Sequence, residues 1–291
     1  MSMFVRPVIV ILLSVFAFSA HAAEWTPFQL SLVKPVQLFP EETKVEGLRL
    51  NLIYGVNKEL TGLDLGIVNE VTGSTKGVQA AYILGGNISH DLDGAQIVYG
   101  FGGANVTSGE ANGLQIAGVF GGVNWAEEFN GVQLSGVFGG INRAADLSGV
   151  QVAFAAGGLN MAEDVTGLQI AGLFGGINKA ANASGLQIAG VMGGVNMAAN
   201  VEGGQIAGLA GGVNRAENVS GVQISGLFGI NIAKDVSGVQ IGTVYNQADA
   251  MEGLQLGLVN LCNTMKGVQV GLVNIITESN VPFFPLINAK F

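Results

Sequence analysis

The stretch GLQIAGLFGGINKAANAS (residues 167–184) is followed without a break by GLQIAGVMGGVNMAANVE (residues 185–202). Fourteen such repeats can be marked by the glycine that stands two residues before a glutamine or its equivalent. Successive marker glycines are 15, 15, 17 and 19 residues apart, then 18 residues apart six times, then 17, 15 and 14. The markers are Gly47, Gly62, Gly77, Gly94, Gly113, Gly131, Gly149, Gly167, Gly185, Gly203, Gly221, Gly238, Gly253 and Gly267. A period of this kind indicates a protein built from one repeated structural unit.

The residue pattern within each repeat predicts β-strands. Gly, Val, Ile and Leu dominate the repeats, and no apolar period of 3.6 residues runs through them. Early in the chain the apolar side chains alternate, as in Leu48, Leu50 and Leu52, which share one face. In the middle of the chain the second face is small and weakly polar. The sequence therefore predicts an all-β protein with one strongly apolar face.

Charge is concentrated in short segments between these strands. Segments such as NKAANASG (residues 178–185) and NRAADLSG (residues 142–149) contain Asn, Asp, Ser and Gly, which favour chain reversals. Only 11% of the chain is charged, and most of that charge lies in such segments. We therefore expect these segments to be exposed turns.

The two ends of the chain differ from the repeats. Residues 1–22 contain Arg6, an apolar run and a small-residue cleavage site at Ala20-His21-Ala22, which predicts a secretory signal peptide. Residues 23–291 are expected to form a single domain, with repeats over 47–280. The flanking segments 28–39 and 282–291 also have the pattern of strands.

Two architectures fit this pattern, and the sequence favours a transmembrane β-barrel. Charge-free strands of about ten residues match the length that crosses a bilayer, and fourteen repeats with two flanking strands predict an up-and-down barrel of about 16 strands. The alternative is a β-solenoid with coils of 14–19 residues, in which equivalent glutamines and asparagines stack into ladders. Apolar residues that recur within the turns, such as Val165 and Val201, favour the solenoid. Antiparallel contacts between successive repeats would indicate the barrel, and parallel contacts the solenoid.

The repeats also resemble a known group of proteins. GLQLGLVN (residues 253–260) and GVQVGLVN (residues 267–274) are similar to bacterial surface-repeat proteins built on Gly-hydrophobic-Gln-x-Gly-x-x-Asn units. This resemblance implies a location in the cell envelope and no established biochemical activity. The final residues PFFPLINAKF resemble the C-terminal signal of outer-membrane barrels, with Phe291 in the terminal aromatic position and Ala289 in place of a common aromatic. That likeness implies recognition by the barrel-assembly machinery.

Few residues carry reactive chemistry. His90 is expected to be a solvated turn residue, and the neighbouring Asp91 and Asp93 are weak evidence for a cation site. Cys262 is the only cysteine and is expected to be a small buried hydrophobe. The sequence predicts no catalytic residues, no cofactor and no metal. A net charge of −9 without a basic cluster also argues against nucleic acid as a partner.

Arg49 and Asp64 stand in the glutamine position of adjacent repeats, so both architectures place them side by side on one face. The sequence predicts a lumen or surface ion pair that is either pore-lining or structural, with a simple solvated pair as the alternative. The leading interpretation is a non-enzymatic outer-membrane protein of a Gram-negative bacterium, pore-forming or structural, whose partners are outer-membrane lipid and the barrel-assembly machinery. The alternative is a secreted β-solenoid that acts as a scaffold or adhesive surface.

Overall fold

The computed structural model describes residues 23–154 and 156–291, so the predicted signal peptide at 1–22 lies outside the described residues. The described residues form strands and turns without a helix. The strands are β1 (Trp25–Val33), β2 (Val36–Gln37), β3 (Lys44–Asn57), β4 (Leu60–Tyr99), β5 (Ala104–Ala117), β6 (Val123–Ser135), β7 (Ile141–Ala153), β8 (Leu159–Met161), β9 (Asp164–Ala171), β10 (Ile177–Lys179), β11 (Asn182–Ala189), β12 (Met192–Met197), β13 (Asn200–Arg215), β14 (Asn218–Leu227), β15 (Ile230–Ile232), β16 (Asp235–Gly242), β17 (Tyr245–Leu256), β18 (Val259–Ile276) and β19 (Phe283–Lys290).

Successive repeats pair in parallel and in register, which makes the protein a β-solenoid. In β9 and β11, Gly167 lies opposite Gly185 and Gln169 lies opposite Gln187. The same parallel pairing joins β3 to β4, and it continues to the pair formed by β17 and β18. Each repeat is therefore one coil that stacks on the preceding coil.

The prediction of an up-and-down barrel of about 16 strands is therefore wrong, and the alternative is the observed fold. A barrel of that kind needs antiparallel neighbours and a first strand paired with the last. Here β1 pairs with β3 at one end of the stack, and β19 pairs antiparallel with β18 at the other. The flanking segments thus cover the two ends of a solenoid instead of closing a barrel.

Two ladders of buried amides explain why parallel stacking is preferred. From Gln96 to Gln269, each glutamine Nε2 donates to the glutamine Oε1 of the preceding coil at 2.7–2.9 Å, and the first acceptor is Gln79. From Asn69 to Asn260, each asparagine Nδ2 donates to the asparagine of the following coil at 2.8–2.9 Å, and the last acceptor is Asn274. Identical residues meet in this way only when equivalent positions are in parallel register. Buried amides without such partners would destabilise the fold.

The marker glycines form a column along one side of the stack. All fourteen have φ between +130° and +150°. From Gly62 to Gly267, a Cβ at each marker would lie 2.0–2.2 Å from the carbonyl oxygen of the glycine one coil earlier. Only glycine fits this position, because a side chain would collide with the neighbouring backbone.

The apolar core lies at one end of the coil cross-section. Clusters of Val, Leu, Phe and Ala side chains fill it, with Val165 and Ala180 as representative members. The predicted turn 178–185 is largely incorrect, because Asn178 lies in β10 and residues from Asn182 onward lie in β11. The chain reverses only near Ala180 and Ala181, and the side chains of Ala180 and Ala183 point into the core. This burial is what the recurrent Val165 and Val201 signalled in the sequence.

Candidate binding surface

In twelve of the fourteen coils, the turn between the glutamine position and the asparagine carries large exposed apolar side chains; the coils that begin at Gly62 and Gly238 have none there. Representative exposed fractions are 54% for Phe174, 70% for Leu209 and 78% for Phe228. We call this set of residues the apolar edge. Its exposed large members are Leu52, Ile53, Tyr82, Ile83, Leu84, Tyr99, Phe101, Val119, Phe120, Val137, Phe138, Phe154, Leu173, Phe174, Val191, Met192, Leu209, Leu227, Phe228, Leu258 and Leu272.

The apolar edge is held in place by contacts between coils. Phe101, Phe120 and Phe138 form successive parallel bridges, and their rings stack with centroid separations of 5.2 and 5.1 Å. The parallel bridges continue through Ala156 and Phe174 to Met192. Because neighbouring coils lie about 4.8 Å apart, the edge extends for about 62 Å from the first coil to the fourteenth. The stacked backbone therefore presents the side chains as one straight line.

The surfaces beside the apolar edge are also free of exposed charge. Apart from Arg49 and Asp64, which are buried, no charged residue lies between the marker glycine and the inward asparagine of any repeat. On one side of the apolar edge, residues equivalent to Leu168 and Ile170 stack from coil to coil in two outward-facing columns that are partly exposed. On the other side, residues equivalent to Ile177 form a third, partly exposed column. We call these two sides the flanks. Monomeric soluble proteins rarely expose continuous apolar patches larger than a few hundred Å². This surface is therefore the strongest candidate for a binding function.

The charged residues collect at the opposite corner of the coil. There Asn182, Asn200 and Asn218 form an exposed hydrogen-bonded stack that begins on Asp164, with distances of 2.6–2.7 Å. A groove of about 620 Å³ runs beside this corner. No group of three or more His, Cys, Asp or Glu side chains within residues 23–154 and 156–291 could hold a metal ion.

Arg49 and Asp64 are in contact, and both side chains are fully buried in the core. Arg49 Nε donates to Asp64 Oδ1 at 2.8 Å, and its Nη2 donates to Asp64 Oδ2. Asp64 also accepts from Gln79 Nε2 at 3.2 Å and from Asn51 Nδ2 at 2.8 Å. A carboxylate only accepts hydrogen bonds, so Asp64 ends the glutamine ladder and Arg49 compensates its charge. The pair thus has a structural position in the first two coils, away from any lumen or surface.

The remaining residues singled out in the sequence, His90, Cys262 and Phe291, lie apart from one another. His90 is largely exposed and contacts Asp91 at 3.1 Å. Cys262 is buried next to Met265, in register with Ala248 of the preceding coil, and burial raises the pKa of its thiol to about 12. Phe291 follows β19 and is 94% exposed. The structure therefore does not bring these residues together.

Sequence reasoning identified the apolar face but did not assign it to a solenoid edge. The signal was present as charge-free segments that end in pairs such as Leu173-Phe174 and Val191-Met192. The described residues contain no helix that is long and apolar enough to span a membrane. No protein-family model, curated protein or solved structure matches this chain.

Proposed function

We propose that this protein is an exported, non-enzymatic β-solenoid that acts as an adhesive scaffold in the cell envelope of a Gram-negative bacterium, at the outer membrane or cell surface. The observation that carries this proposal is the apolar edge, which has large exposed apolar side chains in twelve of the fourteen coils and no exposed charge in any of them. A surface of this length and composition suits extended contact with another apolar surface.

The organisation of the solenoid supports a scaffold. Backbone and amide ladders fix each coil on the next, so the binding residues keep a constant spacing of about 4.8 Å. Charged residues such as Glu163 and Glu217 lie on the opposite corner and favour solvent there. The same molecule can therefore attach by one side while the other side remains hydrated.

The positions of the reactive side chains support a non-enzymatic role. The Arg49–Asp64 pair and the Cys262 thiol are enclosed in the core, where a substrate would have to displace packed side chains. Among residues 23–154 and 156–291, Asp91 is the one titratable neighbour within hydrogen-bond distance of His90. Nucleophilic or general acid–base catalysis needs an accessible group with an oriented partner.

Adsorption to polystyrene beads tests the proposed adhesive role. We expect the wild-type protein to adsorb, and the double variant Phe138→Asp/Phe174→Asp to adsorb about tenfold less, because it places two carboxylates on the edge. The matched control, Ser148→Asp/Ser184→Asp, adds the same charge at exposed positions next to marker glycines. Circular dichroism establishes that all three proteins are folded. Equal adsorption of both double variants would contradict the proposal.

A further inference from the structure

The coil narrows toward the apolar edge. Next to the turn that carries Leu173 and Phe174, the backbones on the two sides of the coil are in contact. A Cβ added at Gly176 would lie only 2.0 Å from the carbonyl oxygen of Ala171. At the other end of the coil, Val165, Ala180 and Ala183 belong to a broader apolar cluster. The cross-section is therefore a wedge whose thin side is apolar and whose broad side is charged.

Both flanks of the wedge are apolar, which restricts what can cover it. Leu168 and Ile170 lie on one flank, Ile177 lies on the other, and Leu173 and Phe174 form the tip between them. A flat protein surface, including that of a second copy, would cover one flank and leave the other exposed. Fluid hydrocarbon covers both flanks and the tip together, because it adapts to the shape that enters it.

The apolar wedge fits within one half of a bilayer. On the second flank, three residue steps from Gly176 to the position after the inward asparagine span about 10 Å, and the turn with Leu173 and Phe174 lies beyond them. The hydrocarbon of a single leaflet is about 15 Å deep, half of the bilayer core.

Residues typical of a membrane interface stand at that height. At the position after the asparagine, the first two coils have Lys58 and Glu70, and four central coils have Trp125, Arg143, Lys179 and Arg215. Arg143, Lys179 and Arg215 are exposed, and Trp125 is partly exposed. Tryptophan favours the head-group region, and long basic side chains reach the lipid phosphates from just inside it. We call these four residues the interface belt.

We infer that the solenoid lies lengthwise on a zwitterionic phospholipid membrane, with its apolar edge inserted into one leaflet and the interface belt at the head groups. This inference rests on the proposed adhesive function and names the surface that the edge binds. Within the stack, the backbone groups of each coil pair with neighbouring coils, so strand edges remain open only at the two ends. The net charge of −9 favours zwitterionic over anionic lipids.

Flotation with phosphatidylcholine vesicles tests whether the protein binds lipid. We expect the wild-type protein and Ser148→Asp/Ser184→Asp to float with the vesicles. Phe138→Asp/Phe174→Asp should float about tenfold less, since charge on a lipid-facing surface opposes insertion.

Tryptophan quenching tests the orientation in the membrane. The chain has two tryptophans, so Trp25→Phe leaves Trp125 as the only reporter of the interface belt. A second protein, Trp25→Phe/Trp125→Phe/Phe174→Trp, reports on the tip. We expect phosphatidylcholine brominated at carbons 6 and 7 to quench Trp125 more than lipid brominated at carbons 11 and 12 does. The tip reporter should show the reverse order, by about twofold.

Each alternative outcome is distinct. Adsorption to polystyrene without vesicle flotation would overturn the lipid inference and leave the adhesive function intact. Absence of both would overturn both proposals. A third outcome combines two observations: the wild-type protein does not float, and sedimentation equilibrium shows a dimer that Phe138→Asp/Phe174→Asp dissociates. That result would show that a second copy covers the apolar edge, and it would refute insertion into lipid. Equal quenching of both reporters at both depths would refute the wedge orientation.

Discussion

The glycine column allows a stability prediction from two neighbouring glycines. Gly149 has φ +143°, and a Cβ there would lie 2.1 Å from the carbonyl oxygen of Gly131. Gly139 also has a positive φ, +70°, but a Cβ there would meet no atom within 4 Å. Alanine at either position strains the backbone, but only alanine at 149 also pushes against the backbone of the preceding coil.

The expected cost differs by several kcal/mol. Alanine at 139 should lower the free energy of unfolding by about 1 kcal/mol, the cost of a left-handed residue. Alanine at 149 adds a clash that neighbouring backbone cannot relieve, and it displaces Gln151 from its 2.8 Å hydrogen bond to Gln133. We expect a total loss of about 4 kcal/mol for Gly149→Ala.

Urea unfolding followed by circular dichroism measures both free energies. The prediction is a difference of about 3 kcal/mol between Gly149→Ala and Gly139→Ala, with Gly139→Ala about 1 kcal/mol below wild type. If the two variants lose the same free energy, the close stacking of the glycine column is refuted.

Three further predictions concern individual residues. Asp64→Asn should lower the free energy of unfolding by about 3–5 kcal/mol, because the buried Arg49 loses its counter-charge. The double variant Arg49→Gln/Asp64→Gln extends the glutamine ladder and should restore most of that loss in urea unfolding. A fully stable Asp64→Asn variant would contradict the role of Asp64 at the end of the ladder. Iodoacetamide should not label Cys262 in the folded protein at pH 8, whereas it should label the urea-unfolded chain. Burial raises the thiol pKa from 9.0 to about 12, so the contribution of the thiol to stability is complete below pH 9 and is lost as pH rises toward 12. Cys262→Ala should therefore reduce the loss of stability at alkaline pH. Rapid labelling of the folded protein by iodoacetamide would contradict the burial. Deletion of Phe291 should leave the thermal midpoint within about 1 °C, because the residue is almost fully exposed; a loss of several degrees would contradict that exposure.

The sequence was sufficient to predict the repeats, the strands and the side-by-side placement of Arg49 and Asp64. It did not decide between barrel and solenoid, because an outward column such as Ile170 is expected in both. The discriminating residues were Val165 and its equivalents, whose apolar side chains recur in segments that otherwise have the composition of exposed turns. Their burial requires a coil that encloses a core on every side, which a single barrel strand with an exposed turn does not provide.

Two properties of the candidate site required the structure. The sequence places Gln169 and Asn178 in one repeat, but it does not show that both point inward and form opposing walls. Without that second wall, the burial of Arg49 and Asp64 could not be predicted. The wedge shape likewise depends on the close approach of Gly176 to Ala171, which residue spacing alone does not specify.

The distance between the first and last coils tests the solenoid most directly. Spin labels attached at Glu46→Cys and Lys266→Cys, in a Cys262→Ala background, lie on exposed positions next to the first and last marker glycines. Thirteen coil spacings of about 4.8 Å predict a separation of about 60 Å by double electron–electron resonance. A closed barrel would bring the same positions within about 20 Å, because its first and last strands are neighbours. A distance near 60 Å is the predicted result, and one below about 25 Å would contradict the stacked coils and the apolar edge built on them.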